Sequence, residues 1–230
     1  MRNTNSWKLR VLAASMVPVA LLSACSSNDG GKPADSKTKQ EEKKNKDGVE
    51  VPGAPADFKL TPAKSKLKLG ETANIATEDI KNPDQLLFWK ATTTGVRSVA
   101  EDPEELKKML GEDDAKDVKS LACIDVELEF AGKSKDFKGD NYFTPPSFRA
   151  AGKNGNSANT LLFGDKALCG IHEADEVPSK VDELQEGSKY KVAEFSYFMN
   201  NDTGVDPVGA SFEYQLKNED KLNNQKIYWE

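Results

Sequence analysis

Residues 122–130 constrain the fold more than any other stretch. Ile124, Val126, Leu128 and Phe130 alternate with Cys123, Asp125, Glu127 and Glu129. A period of two places the apolar set on one face of a strand and the charged set on the other. Such a strand lies in a sheet with one dry face and one wet face. The same period recurs at Phe195, Tyr197 and Met199, and again at Phe212, Tyr214 and Leu216. Ile227 and Trp229 read as a last strand. Further strands are expected over 67–77, 86–92, 147–151 and 159–163, with Gly, Pro, Asn and Asp clusters between them. About 175 residues from Ala56 onward suffice for one domain with a real core. The expectation is therefore an all-β sandwich.

One helix interrupts the pattern. Asp102 is placed to cap it, Pro103 suits its first position, and Glu104 and Glu105 favour the positive end of its dipole. Leu106, Met109 and Leu110 form its apolar stripe, and Gly111 ends it. These side chains read as core contacts.

The first 24 residues follow different rules. Arg2, Lys8 and Arg10 are basic, and residues 11–24 are uncharged. That apolar run is shorter than the ~20 residues a membrane span needs. A basic head, a short apolar core and small residues at its end are the marks of an export signal. It closes on Leu22-Ser23-Ala24-Cys25, an aliphatic residue, two small residues and a cysteine. This resembles the lipobox of bacterial lipoproteins. The resemblance implies cleavage after Ala24, a diacylglyceryl thioether on Cys25, and attachment to the outer side of a membrane through that lipid. Two acyl chains hold durably where one is marginal.

Cleavage there removes three basic residues and no acidic ones. The mature chain keeps 29 Lys and Arg against 38 Asp and Glu, a formal charge of −9. That balance argues against nucleic acid as a partner and against electrostatic attachment to anionic lipid. Residues 25–55 read as a lipidated, disordered linker, poor in apolar side chains and stiffened by Pro52 and Pro55. A coil of this length has a root-mean-square span of about 30 Å.

With Cys25 given to lipid, Cys123 and Cys169 remain, 46 positions apart. Two cysteines in an exported domain usually pair. The alternative is a pair of free or redox-active thiols, and no C-x-x-C pattern is present. Cys123 falls on the charged face of its strand, so the bond is expected to staple a connection onto an outer face.

Leu184-x-x-Gly187-x-x-Tyr190-x-Val192 precedes an alternating strand. It resembles the tyrosine corner of immunoglobulin-like and fibronectin-like sandwiches, in which a tyrosine hydroxyl ties back to upstream backbone. Tyr190 and Val192 differ in parity from Phe195 and Tyr197, and a bulge at 193–194 would reconcile them. The antibody pattern is incomplete, since Trp89 precedes Cys123 and residue 192 is Val. The "LKLGETANI" opening, the Trp89 strand, the long alternating middle strand and the L-x-x-G turn together resemble the telokin-like, immunoglobulin-like extracellular domains of actinobacterial and firmicute lipoproteins. The resemblance covers 66–230. It implies an immunoglobulin-like β-sandwich at 56–230 with no agreed enzymatic activity.

Chemistry is sparse. His172 is the one histidine, in a loop beside Cys169, and no G-x-S-x-G accompanies it. No catalytic residue, cofactor site or metal site is assigned. Asp175, Glu176, Asp182 and Glu183, and Asp202 and Asp206, lack the D-x-D-x-D-G spacing that wraps calcium. Tyr142, Phe143 and Phe148 either line a recognition surface or fill the core. Three readings stand. The first is a lipid-anchored binding module for an envelope protein or polymer. The second is a receptor for a small ligand or ion, and the third an envelope hydrolase that uses acidic residues.

Overall fold

A computed structural model describes residues 48–79, 81–135, 137–138, 142–161 and 164–230. Ala24, Cys25 and the linker up to residue 47 lie outside the described residues. Eight strands are described: β1 (Lys66–Leu67), β2 (Thr72–Glu78), β3 (Leu86–Ala100), β4 (Val118–Lys133), β5 (Phe148–Ala151), β6 (Lys189–Met199), β7 (Gly209–Glu213) and β8 (Lys226–Trp229). They form two four-stranded sheets, ordered β1-β8-β7-β5 and β2-β3-β4-β6. The expected all-β sandwich is present.

The alternation of residues 122–130 explains how the sheets meet. Ile124, Val126 and Leu128 join Trp89 in the core from one sheet, and Phe148, Phe212 and Trp229 join it from the other. Each large apolar side chain buried there stabilises the fold by roughly 1.5–3 kcal/mol. Both core tryptophans satisfy their indole N–H, Trp89 on the Thr77 hydroxyl (3.2 Å) and Trp229 on the Glu71 carbonyl (2.8 Å).

The expected wet face of β4 is only half wet. Glu127 is exposed, but Leu121 and Cys123 are buried. A second layer covers them, made of Leu106 from the inserted helix and of Cys169 and Ile171. This layer also resolves the parity of β6. Tyr190 and Val192 face the sandwich core, while Phe195 and Tyr197 face the second layer. The β4–β6 register runs without a shift from Ser120↔Phe198 to Glu129↔Lys189, so the bulge expected at 193–194 is not there.

Other elements depart from expectation for local reasons. The run 67–77 splits into β1 and β2, because Gly70 turns the chain at φ +86°. Its amide donates to the Thr93 carbonyl (2.8 Å). β1 then pairs in parallel with β8 in the other sheet. β3 continues to Ala100, with register shifts at 88/89, 93/95 and 98/100 that scramble its alternation. Residues 159–161 form no strand and lie along β6, where the Leu161 amide donates to the Phe195 carbonyl (3.1 Å). β7 ends at Glu213, yet Tyr214 and Leu216 stay buried beyond it.

The expected helix is α1 (Pro103–Leu110), and the Asp102 carboxylate accepts from the amides of Glu104 (2.8 Å) and Glu105 (3.3 Å). A second, four-residue helix, α2 (Glu112–Ala115), follows, although the sequence predicts a single helix ended by Gly111. Its acidic first turn suits a helix start, but it carries no apolar stripe to announce it. The folded part also begins earlier than Ala56. Val49 and Leu60 exchange two backbone hydrogen bonds of 2.8 Å, and Val51 is buried. Residues 48–55 are therefore part of the sandwich and not of the linker; two valines sufficed to anchor them. Among the described residues no helix is long and apolar enough to cross a membrane.

Candidate functional site

A cleft of about 760 Å³ opens where the C-terminal ends of β2 and β7 meet the segment leading into β5. This lies within the ~300–1,000 Å³ typical of ligand sites. Glu78 comes from the end of β2, Ser147 and Arg149 from the β5 side, and Gln215, Lys217 and Asn223 from the turn between β7 and β8. Antiparallel pairing of β5 with β7 sets Arg149 beside Ser211 and Phe148 beside Phe212. Phe148 and Phe212 go inward, so strand alternation turns Arg149 and Glu213 outward.

The charges of this cleft are unequally engaged. Glu78 is nearly enclosed, and its carboxylate accepts from the Lys217 amide (2.9 Å) and pairs with the Lys217 ammonium (3.4 Å). Glu213 pairs with Lys226 at 3.5 Å. Arg149 is exposed and makes no hydrogen bond or ion pair within 4 Å among the described residues. Its guanidinium acts at longer range on Glu194. Burial pushes the Glu194 carboxyl up to about 7, and Arg149 opposes part of that shift.

A smaller depression of about 240 Å³ lies beside the disulfide. Arg97 occupies its wall, donating to both oxygens of Asp125 (2.7 and 3.3 Å) and to the Cys169 carbonyl (2.5 Å). Lys191 pairs with Asp175 at 3.3 Å. The backbone amide of His172 and the Lys191 ammonium hold the Asp175 carboxyl below its ordinary range. These charges are spent on one another, which makes this depression the weaker candidate.

Cys123 and Cys169 are bonded, with Cα atoms 5.7 Å apart. The bond lies outside the main core, as expected, and staples the segment at Cys169 onto the face of β4 that also carries Asp125 and Glu127, with Ile171 and Phe195 packed around it. Leu184 and Gly187 take the places expected of a turn: Leu184 packs into the core, Gly187 sits at φ +83°, and its amide donates to the Phe130 carbonyl (2.8 Å). Tyr190 does not complete a tyrosine corner. It lies opposite Leu128, half-buried, and no hydrogen bond from its hydroxyl is found among the described residues. Tyr214 makes a tie of that kind instead, donating to the carbonyls of Thr61 (2.7 Å) and Asn74 (3.2 Å).

His172 is exposed in its loop. Asp206 accepts from the Met199 amide (3.1 Å), and Glu183 faces Lys180 (3.6 Å). Among the described residues no three His, Cys, Asp or Glu side chains converge as a metal site. Phe148 fills the core and Phe143 stacks on Trp89 with centroids 5.9 Å apart, whereas Tyr142 is 67% exposed. The cleft residues Glu78, Arg149, Gln215 and Asn223 were not singled out from sequence. They are scattered over 146 positions, and no local pattern joins them.

No family model matches this chain, and neither a curated protein nor a solved structure matches it.

Proposed function

We propose that this chain is a lipid-anchored, extracytoplasmic binding module, in which Cys25 carries the lipid and the end cleft of the sandwich receives an envelope ligand. The observation that carries the binding reading is the cleft: a concave site of about 760 Å³ into which Ser147, Arg149, Gln215 and Asn223 bring polar groups. The export signal and the Leu22-Ser23-Ala24-Cys25 pattern carry the address. The hydrolase reading is weaker. Glu78 and Glu213, the carboxylates of the cleft, are each paired with a lysine, whereas an acid catalyst must keep its proton. Glu194, whose carboxyl does hold its proton more firmly, is not among the residues lining the cleft.

The strand order supports an immunoglobulin-like topology. In that fold strands A, B and E share one sheet and C, F and G the other. Here β3, β4 and β6 are neighbours in the places of A, B and E, and β5, β7 and β8 in those of C, F and G. The chain order agrees. A D strand is missing among the described residues, β2 extends the first sheet, and β1 adds to the second in parallel with β8. On this reading Tyr190 opens strand E, and a tyrosine corner belongs to strand F, which is why the motif misled.

Two tests apply. Wild-type chain expressed with its leader should incorporate labelled palmitate and sediment with membranes, and Cys25→Ser should do neither; membrane retention of that variant, with no label on the wild type, defeats the anchor. Purified full chain should co-sediment with isolated cell-wall polymer, and Ser147→Trp, which fills the cleft from an exposed position, should abolish this without lowering the melting temperature. Equal sedimentation of both proteins, or release of soluble fragments from the polymer, defeats the binding reading.

A further inference from the structure

Arg149 is the cation of the end cleft whose hydrogen-bonding fork is unspent. Lys217 is held by Glu78, and the other cleft acid, Glu213, is held by Lys226. The lining thus carries two carboxylates and two cations, and Arg149 is the one of the four with no ion pair within 4 Å among the described residues. The group that Arg149 influences, Glu194, is a poor counter-ion, because burial keeps part of its population protonated at neutral pH. A planar guanidinium presents paired donors that match the two oxygens of a carboxylate.

The rest of the lining is suited to amides. Gln215, Asn223, Ser147 and Thr144 make no side-chain hydrogen bonds among the described residues. A carboxamide offers both a donor and an acceptor, which is what a peptide unit requires. The aromatic ring lining the cleft, Phe212, is only 3% exposed. A sugar ring would find no flat aromatic surface to lie on, so the lining favours peptide over glycan.

We propose that this cleft binds a short peptide carrying a free carboxylate, with Arg149 gripping the carboxylate and Gln215, Asn223, Ser147 and Thr144 meeting the peptide amides. The inference rests on the binding reading above and names its ligand class. A few residues of extended peptide fill the volume. The carboxylate is supplied either by the C-terminus or by an acidic side chain, and both present the same two oxygens to Arg149.

The test is calorimetric titration of the full chain with four probes: acetyl-Ala-Ala-Ala as the free acid, its C-terminal amide, acetyl-Ala-Glu-Ala amide, and inorganic phosphate. At least one of the two carboxylate peptides should bind, and the one that does identifies the source of the carboxylate. The uncharged amide should bind about ten- to a hundredfold more weakly, the range expected for losing a charged hydrogen bond. Arg149→Gln should cause a loss of the same size for the carboxylate peptide and none for the amide. Equal affinity for acid and amide, an unchanged Arg149→Gln, or phosphate binding as tight as the peptide overturns the proposal, as does no binding by either carboxylate peptide. If the peptides fail while wall polymer still binds wild type and not Ser147→Trp, the ligand class is wrong and the binding module stands.

Discussion

The Tyr214 hydroxyl donates to the Thr61 carbonyl at 2.7 Å, joining the residue that follows β7 to the segment that lies along the edge of β2. The Asn74 carbonyl of β2 lies 3.2 Å from the same oxygen. Tyr214 is fully buried, and that burial pushes its phenol above the ordinary tyrosine range. The hydroxyl is thus a permanent donor that ties one sheet to the edge of the other.

Tyr214→Phe removes the donor and keeps the ring, including its edge-on contact with Phe212 at 5.2 Å. The Thr61 carbonyl is part-buried and the Asn74 carbonyl keeps the Thr61 amide, so the loss should be about 1 kcal/mol, at the low end of the range for an unpaired group. The urea midpoint should fall accordingly while the m-value stays constant, since no extra surface is exposed in the folded state.

The Cys123–Cys169 bond closes a 46-residue loop, for which the chain-entropy model gives roughly 4 kcal/mol. The bond belongs to the second layer and not to the main core. Cys123→Ala with Cys169→Ala should therefore lower stability by up to that amount while the sandwich persists. Hydrogen exchange should accelerate first at the amides of Gly170 and Ile171, and more slowly, if at all, at Ile124 and Leu128.

Glu194 makes stability depend on pH. Its folded value of about 7 stands above the ordinary 4.5, so between these limits the folded chain binds more protons than the unfolded one. Stability from this group is fully present below pH ~4.5 and is lost as pH rises through ~7. Because the side chain is partly solvated, we expect about 1–2 kcal/mol and not the full linkage value. Urea midpoints measured from pH 4.5 to 8 should fall for the wild type and fall less for Glu194→Gln. A carboxyl-carbon NMR titration of Glu194 should show its midpoint near neutrality.

Asp102→Ala removes two hydrogen bonds from the start of α1. Loss of such a cap costs about 1 kcal/mol. Leu106 anchors α1 against Ala100, Val118 and Leu121, so the effect should stay local. Amide exchange over residues 104–110 should quicken while that of β3 and β4 at the main core is unchanged.

Much of this architecture is legible in the order of residues. Period-two alternation located β4, β6, β7 and β8, because a strand buried on one face must repeat every second residue. Asp102, Pro103 and Gly111 bounded α1, because the first amides and last carbonyls of a helix need local partners. The pairing of two cysteines followed from their number and from the expectation that the domain is exported. These are short-range constraints, and short stretches of sequence record them.

What the chain could not state locally was decided by packing. Cys123 looked like part of a wet face, yet a distant helix and loop form a second layer over it and over Leu121, Phe195 and Tyr197. Gly70 sent two halves of one apparent strand into different sheets. Tyr190 carried the motif, while Tyr214 alone came within reach of the carbonyls of Thr61 and Asn74. The cleft is the extreme case: Glu78, Arg149 and Asn223 become neighbours only once β2, β5 and the β7–β8 turn converge. Alternation and capping depend on residues a few positions apart, whereas a second layer, a sheet-to-sheet tie and a binding cleft depend on which distant faces the two sheets bring together.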